Sequence, residues 1–195
     1  MPRSKRVLDL ALASIGLVLA APALALAAVA MRMTGDTGPF LYRAARVGGG
    51  TTFTVLKVRT MVAAAEGSRV TLADDTRVTR VGGVLRRYRI DELPQLINVL
   101  KGDMSLVGPR PEDPSYVDLS NPQHRRVFAA KPGITGLAQL EFHDEAALLV
   151  GPDAERRYRE EILPAKLNLD DEYLDRRTTL LDLQILWRTV RIVLR

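Results

Sequence analysis

The sequence contains no cysteine, and aromatic residues make up only 5% of its 195 residues. Without cysteine the protein has no disulfide and no thiolate metal site, which fits a cytosolic setting. Scarce aromatic residues weigh against single-stranded nucleic-acid binding, because that mode depends on stacked bases. The two histidines, His124 and His143, show no metal-ligand spacing. There is also no phosphate-binding P-loop and no glycine motif for dinucleotides, so neither an ATPase nor a dinucleotide-dependent enzyme is supported.

Positive charge is in excess, with 28 Lys and Arg against 23 Asp and Glu and a net charge of +5. Apolar residues make up 47% of the chain and charged residues 26%, so the composition is that of a folded protein with a sizeable core. The excess of basic residues favours polyanionic partners. Because no nucleic-acid motif occurs, we expect phosphorylated substrates and membrane lipid, and no nucleic acid, as partners.

A long apolar segment lies near the N-terminus, from Val7 to Met31. As a helix it would extend roughly 37 Å, which is enough to cross a bilayer. Three interpretations remain open: a signal peptide cleaved near Ala25–Ala27, a spanning helix, or a helix that enters and leaves on one face. Pro22 favours a kink near the middle, because it lacks an amide hydrogen and clashes with the preceding turn. Basic residues flank both ends, so the positive-inside rule gives no orientation.

One carboxylate, Asp9, lies about one helical turn inside this apolar segment. The sequence leaves three roles open for it: helix capping, pairing with Lys5 or Arg6, or a position at the level of the lipid headgroups. A buried and unpaired carboxylate would be costly at this depth.

Beyond a turn-rich linker at Thr34–Pro39, the pattern predicts a small sheet among helices. The predicted elements are strands at 40–42 and 51–58, joined through Gly48–Gly50, and helices at 62–68, 84–89, 93–100, 154–163 and 170–194, the last in one piece or two. The last helix combines a basic stripe with an apolar face that includes Trp187, a pattern typical of a membrane surface or of a helix packed on the core. The stripe comprises Gln184, Arg188, Arg191 and Arg195. The expected fold class is mixed α/β, mostly helical with a small sheet and amphipathic surface helices.

The tetrapeptide Asp91-Glu92-Leu93-Pro94 carries the most chemical information. Pro94 suits the first turn of a helix, which would place both carboxylates at the helix N-terminus, where the dipole favours their ionised forms. An ionised pair can hold Mg²⁺ through oxygen ligands, and one carboxylate can attack a phosphorus atom. Helix capping is the competing interpretation of the same residues.

Several cations could accompany this pair. Arg86, Arg87 and Arg89 lie just upstream and could offset pyrophosphate charge, and Arg110 lies between two prolines that limit the entropy lost when it binds a ligand. Because side chains alternate between the two faces of a strand, Lys57 and Arg59 are expected on the same face at the end of the strand at 51–58. From there Lys57 could reach a carboxylate or a phosphate. The Gly-rich segment Lys131–Gly136 could present backbone amides to phosphate. For each, an exposed basic residue or a plain connection is the competing interpretation.

The order and spacing of these motifs resemble the bacterial sugar transferase family, in particular its monotopic phosphoglycosyl transferases of the minimal catalytic-core type. The resemblance extends from about Lys5 to the final helix, nearly the whole chain. It is carried by Lys57–Met61, Arg77–Gly82, Lys131–Gln139 and above all the long run Leu85–Pro111. The chain departs from the family pattern after Gln139, where Leu140–His143 replaces the more usual Gly-Arg-Asn.

The resemblance implies a transferase that moves a sugar 1-phosphate from a UDP-sugar to a polyprenyl phosphate such as undecaprenyl phosphate, with release of UMP. It implies that Asp91 is the nucleophile, that Glu92 completes the catalytic pair, and that Mg²⁺ binds at both. It also implies that residues 1–33 form a re-entrant membrane helix and that residues 34–195 form a catalytic domain on the cytoplasmic face of the bacterial inner membrane. The family's Ser-Pro pair at the helix break corresponds here to Ala21-Pro22. The product would begin a surface glycan such as exopolysaccharide, capsule or O-antigen.

We expect the substrate and its phosphates to be bound by five residues: Lys57, Arg59, Arg86, Gln95 and Arg110. Two other classes of protein compete with this interpretation. A non-catalytic membrane scaffold could keep the fold, but the intact Asp91–Glu92 pair argues against it. A soluble secreted protein would result if the N-terminal segment were a cleaved signal peptide.

Overall fold

The computed structural model describes residues 2–62, 72, 75–151 and 153–193. They form a mostly helical fold with two small sheets, which confirms the expected class. The helices are α1 Arg3–Met33, α2 Arg80–Arg87, α3 Gln95–Lys101, α4 Pro122–Ala129, α5 Leu137–Glu141, α6 Glu145–Leu148, α7 Ala154–Arg157, α8 Leu163–Arg176 and α9 Thr179–Val193. The strands are β1 Leu41–Gly48, β2 Thr51–Val58, β3 Ser105–Val107 and β4 Gly133–Thr135. Apart from Val62, the helix predicted at 62–68 lies outside the described residues.

The first sheet is an antiparallel hairpin of β1 and β2, paired from Leu41 opposite Val58 to Gly48 opposite Thr51. The two residues of its turn, Gly49 and Gly50, have φ values of 63° and 79°. A two-residue turn of this hand suits the twist of the strands and requires positive φ, which glycine adopts without steric cost. The predicted hairpin is therefore confirmed, with a longer first strand than the sequence pattern indicated.

The second sheet is a parallel pair, in which Ser105 lies opposite Gly133 and Val107 opposite Thr135. The amide of Gly133 donates to the Pro109 carbonyl at 2.9 Å. A side chain at Gly133 would collide with the backbone of the facing segment. The Gly-rich segment at 131–136 thus contains a strand, and its Gly133 amide is used in pairing and is not free to bind phosphate.

The C-terminal helices differ from prediction at one point. The helix predicted to end before Pro164 continues as α7, a π-helical turn at Tyr158–Ile162, and α8. Pro164 is tolerated because it falls in the first turn of α8, where a missing amide hydrogen costs little. The chain breaks after α8 instead, and α9 then buries Ile185 against the core while Trp187 and Arg188 are exposed. The interpretation as a helix packed on the core is therefore confirmed for one face, and a role of the exposed face at a membrane surface stays a prediction.

The N-terminal helix α1 runs through Pro22 as one assigned helix of 31 residues. Among the described residues, α1 is the helix that is long and apolar enough to cross a membrane, with a mean hydropathy of 2.3 over its most apolar window. Only 17% of that window is buried, so α1 is not an ordinary core helix. Three of its five buried positions are the small residues Ala13, Ala20 and Ala27, which allow close packing against α3 and α2.

Asp9 is buried inside the domain, with 2% of its surface exposed. Its oxygens accept hydrogen bonds from the Ser105 hydroxyl at 2.7 Å and from the Leu106 amide at 3.1 Å. Asp9 therefore binds the start of β3. It does not pair with Lys5 or Arg6, which was one of the three roles that the sequence left open. This contact satisfies a carboxylate that would otherwise be costly to bury.

The two ends of α1 contact the same folded body. Near its start, the Lys5 amino group donates to Asp182 of α9 at 2.5 Å, and the Arg6 guanidinium donates to the carbonyl of Val99 at the end of α3 at 2.6 Å. Near its end, Met31 packs in an apolar cluster with Val58 of the hairpin and Leu85 of α2. The folded body therefore contacts α1 near both of its ends.

We expect Asp9→Ala to lower the free energy of unfolding by about 1–3 kcal/mol, because the Ser105 hydroxyl and the Leu106 amide would lose their partner in a buried site. The measurement is chemical unfolding of the detergent-solubilised protein. Ser14→Ala is the matched control, because Ser14 is exposed on the same helix. Equal losses in the two variants would contradict a structural role for Asp9.

Candidate active site

The two candidate catalytic carboxylates lie in a 3₁₀ turn, Ile90–Glu92, immediately before α3. They therefore precede the helix instead of occupying its first turn, and Pro94 provides the cap position of α3. Both residues are buried, with 8% of Asp91 and 9% of Glu92 exposed. The turn is entered through Arg89, whose φ of 51° is uncommon for a residue other than glycine. This sharp entry turns the dyad toward β2 and α2.

Glu92 is surrounded by three cations. Lys57 Nζ donates to Glu92 Oε1 at 3.0 Å, Arg110 Nη2 lies 3.6 Å from the same oxygen, and Arg89 Nη1 lies 3.6 Å from Oε2. Burial raises the pKa of Glu92, but the attraction of Lys57, Arg110 and Arg89 outweighs it and holds the pKa well below its usual range. Glu92 is therefore ionised, and its negative charge is already offset.

Asp91 is in the opposite situation. Burial first, and then repulsion by Glu92, raise its pKa to about 6, although Lys57, Arg86 and Arg89 act in the other direction. The cations nearest to Asp91 also interact with Glu92, so the negative charge of Asp91 is incompletely offset. An added cation would stabilise the ionised form of Asp91 more than that of Glu92.

The loop after β3 supplies Arg110 to the site. Its backbone amide donates to Asp170 Oδ2 of α8 at 3.1 Å, which fixes the loop from behind. The side chain remains 30% exposed, so the guanidinium can meet both Glu92 and a ligand. Burial lowers the pKa of Arg110, but the carboxylates of Glu92 and Glu145 outweigh that effect and raise it.

The structure brings three of the five predicted binding residues to the dyad, namely Lys57, Arg86 and Arg110. Arg86 donates from Nε to the Thr60 hydroxyl at 2.8 Å and acts on Asp91 through its charge. Gln95 is buried at the first residue of α3, three residues after Glu92 in the chain.

Arg59 has a different place. Its guanidinium is 8% exposed, pairs with Asp36 and donates to the carbonyls of Pro39 at 2.8 Å and Met61 at 3.1 Å. It fixes the linker after α1 and lies outside the group of cations around Glu92. β2 ends at Val58, so the strand alternation that predicted Lys57 and Arg59 on one face does not extend to Arg59. The two side chains therefore have different partners.

The sequence indicated Arg89 only as one of three upstream arginines and not among the five expected binding residues, although its spacing of three residues from Glu92 is a signal for such a pair. Sequence reasoning missed a buried network behind Arg110. There the Tyr158 hydroxyl donates to Glu112 Oε2 at 2.5 Å, and Lys166 Nζ donates to Tyr158 at 3.1 Å and to Glu145 at 2.7 Å. No local pattern could reveal this network, because its members come from distant segments and meet around the π-helical turn.

Among the described residues no group of three or more His, Asp or Glu side chains could hold a metal ion. The dyad itself offers two carboxylates on adjacent residues. Mg²⁺ commonly binds through one or two carboxylates and takes its other ligands from water and substrate phosphates. The oxygen donors of the dyad, and the incompletely offset charge of Asp91, therefore fit that ion.

Comparison with known proteins identifies the family of the chain. The family model described as bacterial sugar transferase matches residues 2–195. A protein of Caulobacter vibrioides named UDP-glucose:undecaprenyl-phosphate glucose-1-phosphate transferase is 42% identical over 192 residues, which cover 95% of this chain and 68% of that protein. An Aeromonas hydrophila protein named UDP-N-acetylgalactosamine-undecaprenyl-phosphate N-acetylgalactosaminephosphotransferase is 38% identical over 196 residues, which cover 97% of this chain.

The chain spans 43% of the Aeromonas protein, so that relative has a large region with no counterpart here. A third relative, named exopolysaccharide production protein, from Sinorhizobium fredii, is 33% identical over 208 residues, covering 97% of this chain and 85% of that protein. The resemblance seen in the motifs is thus confirmed over almost the entire sequence. The chain belongs to the bacterial sugar transferase family.

Proposed function

We propose that the protein transfers a sugar 1-phosphate from a UDP-sugar to a polyprenyl phosphate, with undecaprenyl phosphate as the acceptor and UMP as the leaving group. The observation that carries the proposal is the buried dyad, in which Glu92 is neutralised by cations and Asp91 is not. The names of the relatives support the donor and acceptor classes. The relative named for exopolysaccharide production supports a role at the start of a surface glycan.

Asp91 is the better nucleophile of the two carboxylates. Glu92 accepts a hydrogen bond from Lys57 and lies near two arginines, so its lone pairs are stabilised and less reactive. In the first step, an Asp91 oxygen bonds to the donor phosphorus that bears the sugar, and the bond from that phosphorus to the bridging oxygen breaks. The electron pair leaves with UMP, and the sugar phosphate remains on Asp91.

In the second step, an oxygen of the lipid phosphate attacks the same phosphorus and the bond to Asp91 breaks, which restores the carboxylate and yields a polyprenyl diphosphosugar. Lys57, Arg86 and Arg110 would bind the phosphate oxygens and hold them in line. Mg²⁺ at Asp91 and Glu92 would offset the charge of the donor pyrophosphate and of the leaving UMP.

We also propose that α1 enters and leaves the cytoplasmic membrane on one face, with the active site on the cytoplasmic side. The support is that Lys5 and Asp9 near one end, and Met31 near the other, all contact one folded body. A helix that crossed the bilayer would separate these ends. Removal of the segment as a signal peptide would deprive the Ser105 hydroxyl of Asp9 and Asp182 of its ion pair with Lys5. Trp187 and Arg188 on the outer face of α9 suit the same membrane surface.

With donor alone, the enzyme should acquire a sugar-phosphate adduct on Asp91, detected by mass spectrometry of its peptides. Asp91→Asn keeps the shape but removes the nucleophile, so both UMP release and lipid product should fall by at least about 10³-fold. Asp153→Asn is the control, because Asp153 is an exposed aspartate. No adduct, together with initial rates that fit a ternary complex, would mean that the lipid phosphate attacks the donor directly.

Chelation of divalent cations should abolish UMP release, and added Mg²⁺ should restore it, because two carboxylates facing a pyrophosphate would otherwise repel the substrate. Glu92→Gln should raise the Mg²⁺ concentration required for half-maximal rate, since one negative charge is lost. Glu172→Gln, on the exposed side of α8, should leave that concentration unchanged. An undiminished rate after complete chelation would rule out the metal.

The absence of native cysteine allows single reporter cysteines without background labelling. Ser4→Cys and Thr37→Cys, at the two ends of α1, should both react from the cytoplasmic side in oriented membrane vesicles, as should Ser120→Cys in the exposed part of the domain. Added Pro22→Ala should shift part of the Ser4 label to the other side, because it restores a helix able to run straight. Labelling of positions 4 and 37 from opposite sides in the parent chain would establish a spanning helix.

A further inference from the structure

A cavity of about 150 Å³ lies beside Glu92, between α5 and the inner face of α9. Its walls are mainly aliphatic and include Leu96, Ile134, Leu140 and Ile192. Arg89 and Glu92 line the same cavity, so it adjoins the charged site. The steps proposed above leave this apolar space without an occupant.

Gln139 also lines the cavity and is 6% exposed. Within the described part of the chain, neither its Nε2 nor its Oε1 has a hydrogen-bond partner. A buried amide without partners is destabilising, so its presence beside the cavity points to a ligand that supplies them. A side chain at Gly136 would lie 2.7 Å from Gln139 Oε1, so the glycine keeps space open for the amide.

The cavity is continuous with an apolar surface. Tyr88 lines it and is itself 46% exposed, and its neighbour Val84 on α2 is 56% exposed. Ile192 comes from α9, whose outer face exposes Trp187 and Val190. An apolar chain at a membrane surface could therefore pass over these side chains and end beside Glu92.

We propose that this cavity binds the isoprene unit nearest the phosphate of the polyprenyl-phosphate acceptor, and that the Gln139 amide hydrogen-bonds its phosphate end. The proposal rests on the proposed function and assigns the acceptor site within it. A cavity of this volume holds a group about the size of benzene, which matches one five-carbon isoprene unit. The phosphate would then lie among Arg89, Arg110 and Lys57, where the attacking oxygen is needed.

The walls weigh against the uracil ring of the donor as the occupant. Protein sites for planar bases commonly stack them on aromatic side chains, and Tyr88 is the one aromatic residue among the described lining of the cavity. Aliphatic side chains on the other walls suit a branched hydrocarbon, whose burial is favourable in proportion to its apolar area.

The test uses a farnesyl phosphate that carries a photoreactive diazirine on its first isoprene unit, bound to the full chain in detergent without donor. Mass spectrometry should place the label on 134–140 and 189–193. Excess undecaprenyl phosphate should suppress this labelling, and excess uridine, which carries no phosphate to compete for Lys57 and Arg110, should not. Label confined to the outer face of α1, or suppression by uridine, would overturn the proposal.

Two variants test the binding of the lipid's hydrocarbon chain and of its phosphate separately. Ile192→Trp fills the cavity and should reduce labelling at least about tenfold, whereas Leu183→Trp, at an exposed position of the same helix outside the cavity, should not. Gln139→Leu should weaken labelling by the phosphate probe but not by the matching diazirine farnesol. Unchanged labelling in Ile192→Trp, or equal loss with both probes in Gln139→Leu, would contradict the assignment.

The donor half-reaction distinguishes this proposal from the proposed function. UMP release from donor alone should persist in Ile192→Trp while lipid product is lost. If Ile192→Trp instead loses UMP release and keeps the label, the cavity holds the nucleotide and the proposal is wrong. If the wild type takes the label in the cavity but releases UMP from no UDP-sugar, the lipid site stands and the proposed function fails.

Discussion

Two adjacent carboxylates buried in one turn are the constraint on which the rest of the structure depends. Burial alone would drive both toward the neutral form, because a charge in a low-dielectric site is costly. The fold resolves this unequally by placing Lys57, Arg89 and Arg110 around Glu92 and leaving Asp91 less well compensated. The pKa values of the two carboxylates therefore shift in opposite directions although the side chains differ by only one methylene group.

The cations come from separate segments, so the site requires much of the fold. Lys57 depends on the register of the hairpin, and Arg110 depends on the pairing of β3 with β4 and on Asp170 of α8. The buried network of Glu112, Tyr158 and Lys166 supports that loop from the other side. The loop that carries Arg110 also depends on the close approach of its backbone to Gly133, because any side chain at Gly133 would force the β3 and β4 segments apart.

The N-terminal helix α1 is bonded to the same elements that support the site. Lys5, Arg6 and Asp9 bind α9, α3 and β3, which are the elements that surround the site. A change in how α1 lies in the membrane would therefore be transmitted to the loop that carries Arg110. This coupling offers a physical reason why membrane attachment and catalysis would be linked in this chain.

The sequence by itself determined the mostly helical class, the glycine hairpin, the apolar N-terminal helix and the dyad with Lys57, Arg86 and Arg110 nearby, because each is encoded by a local pattern or by the spacing of one long motif. Tertiary structure decided the role of Arg59, which turns to the linker because β2 ends at Val58. It also decided the place of Asp9, the pairing of Gly133, the continuation of the helix through Pro164, and the network behind Arg110. These depend on contacts between residues far apart in the chain, such as the 96 positions that separate Asp9 from Ser105. Periodicity and propensity describe only neighbours within a few residues, so such contacts are fixed only when the whole chain packs.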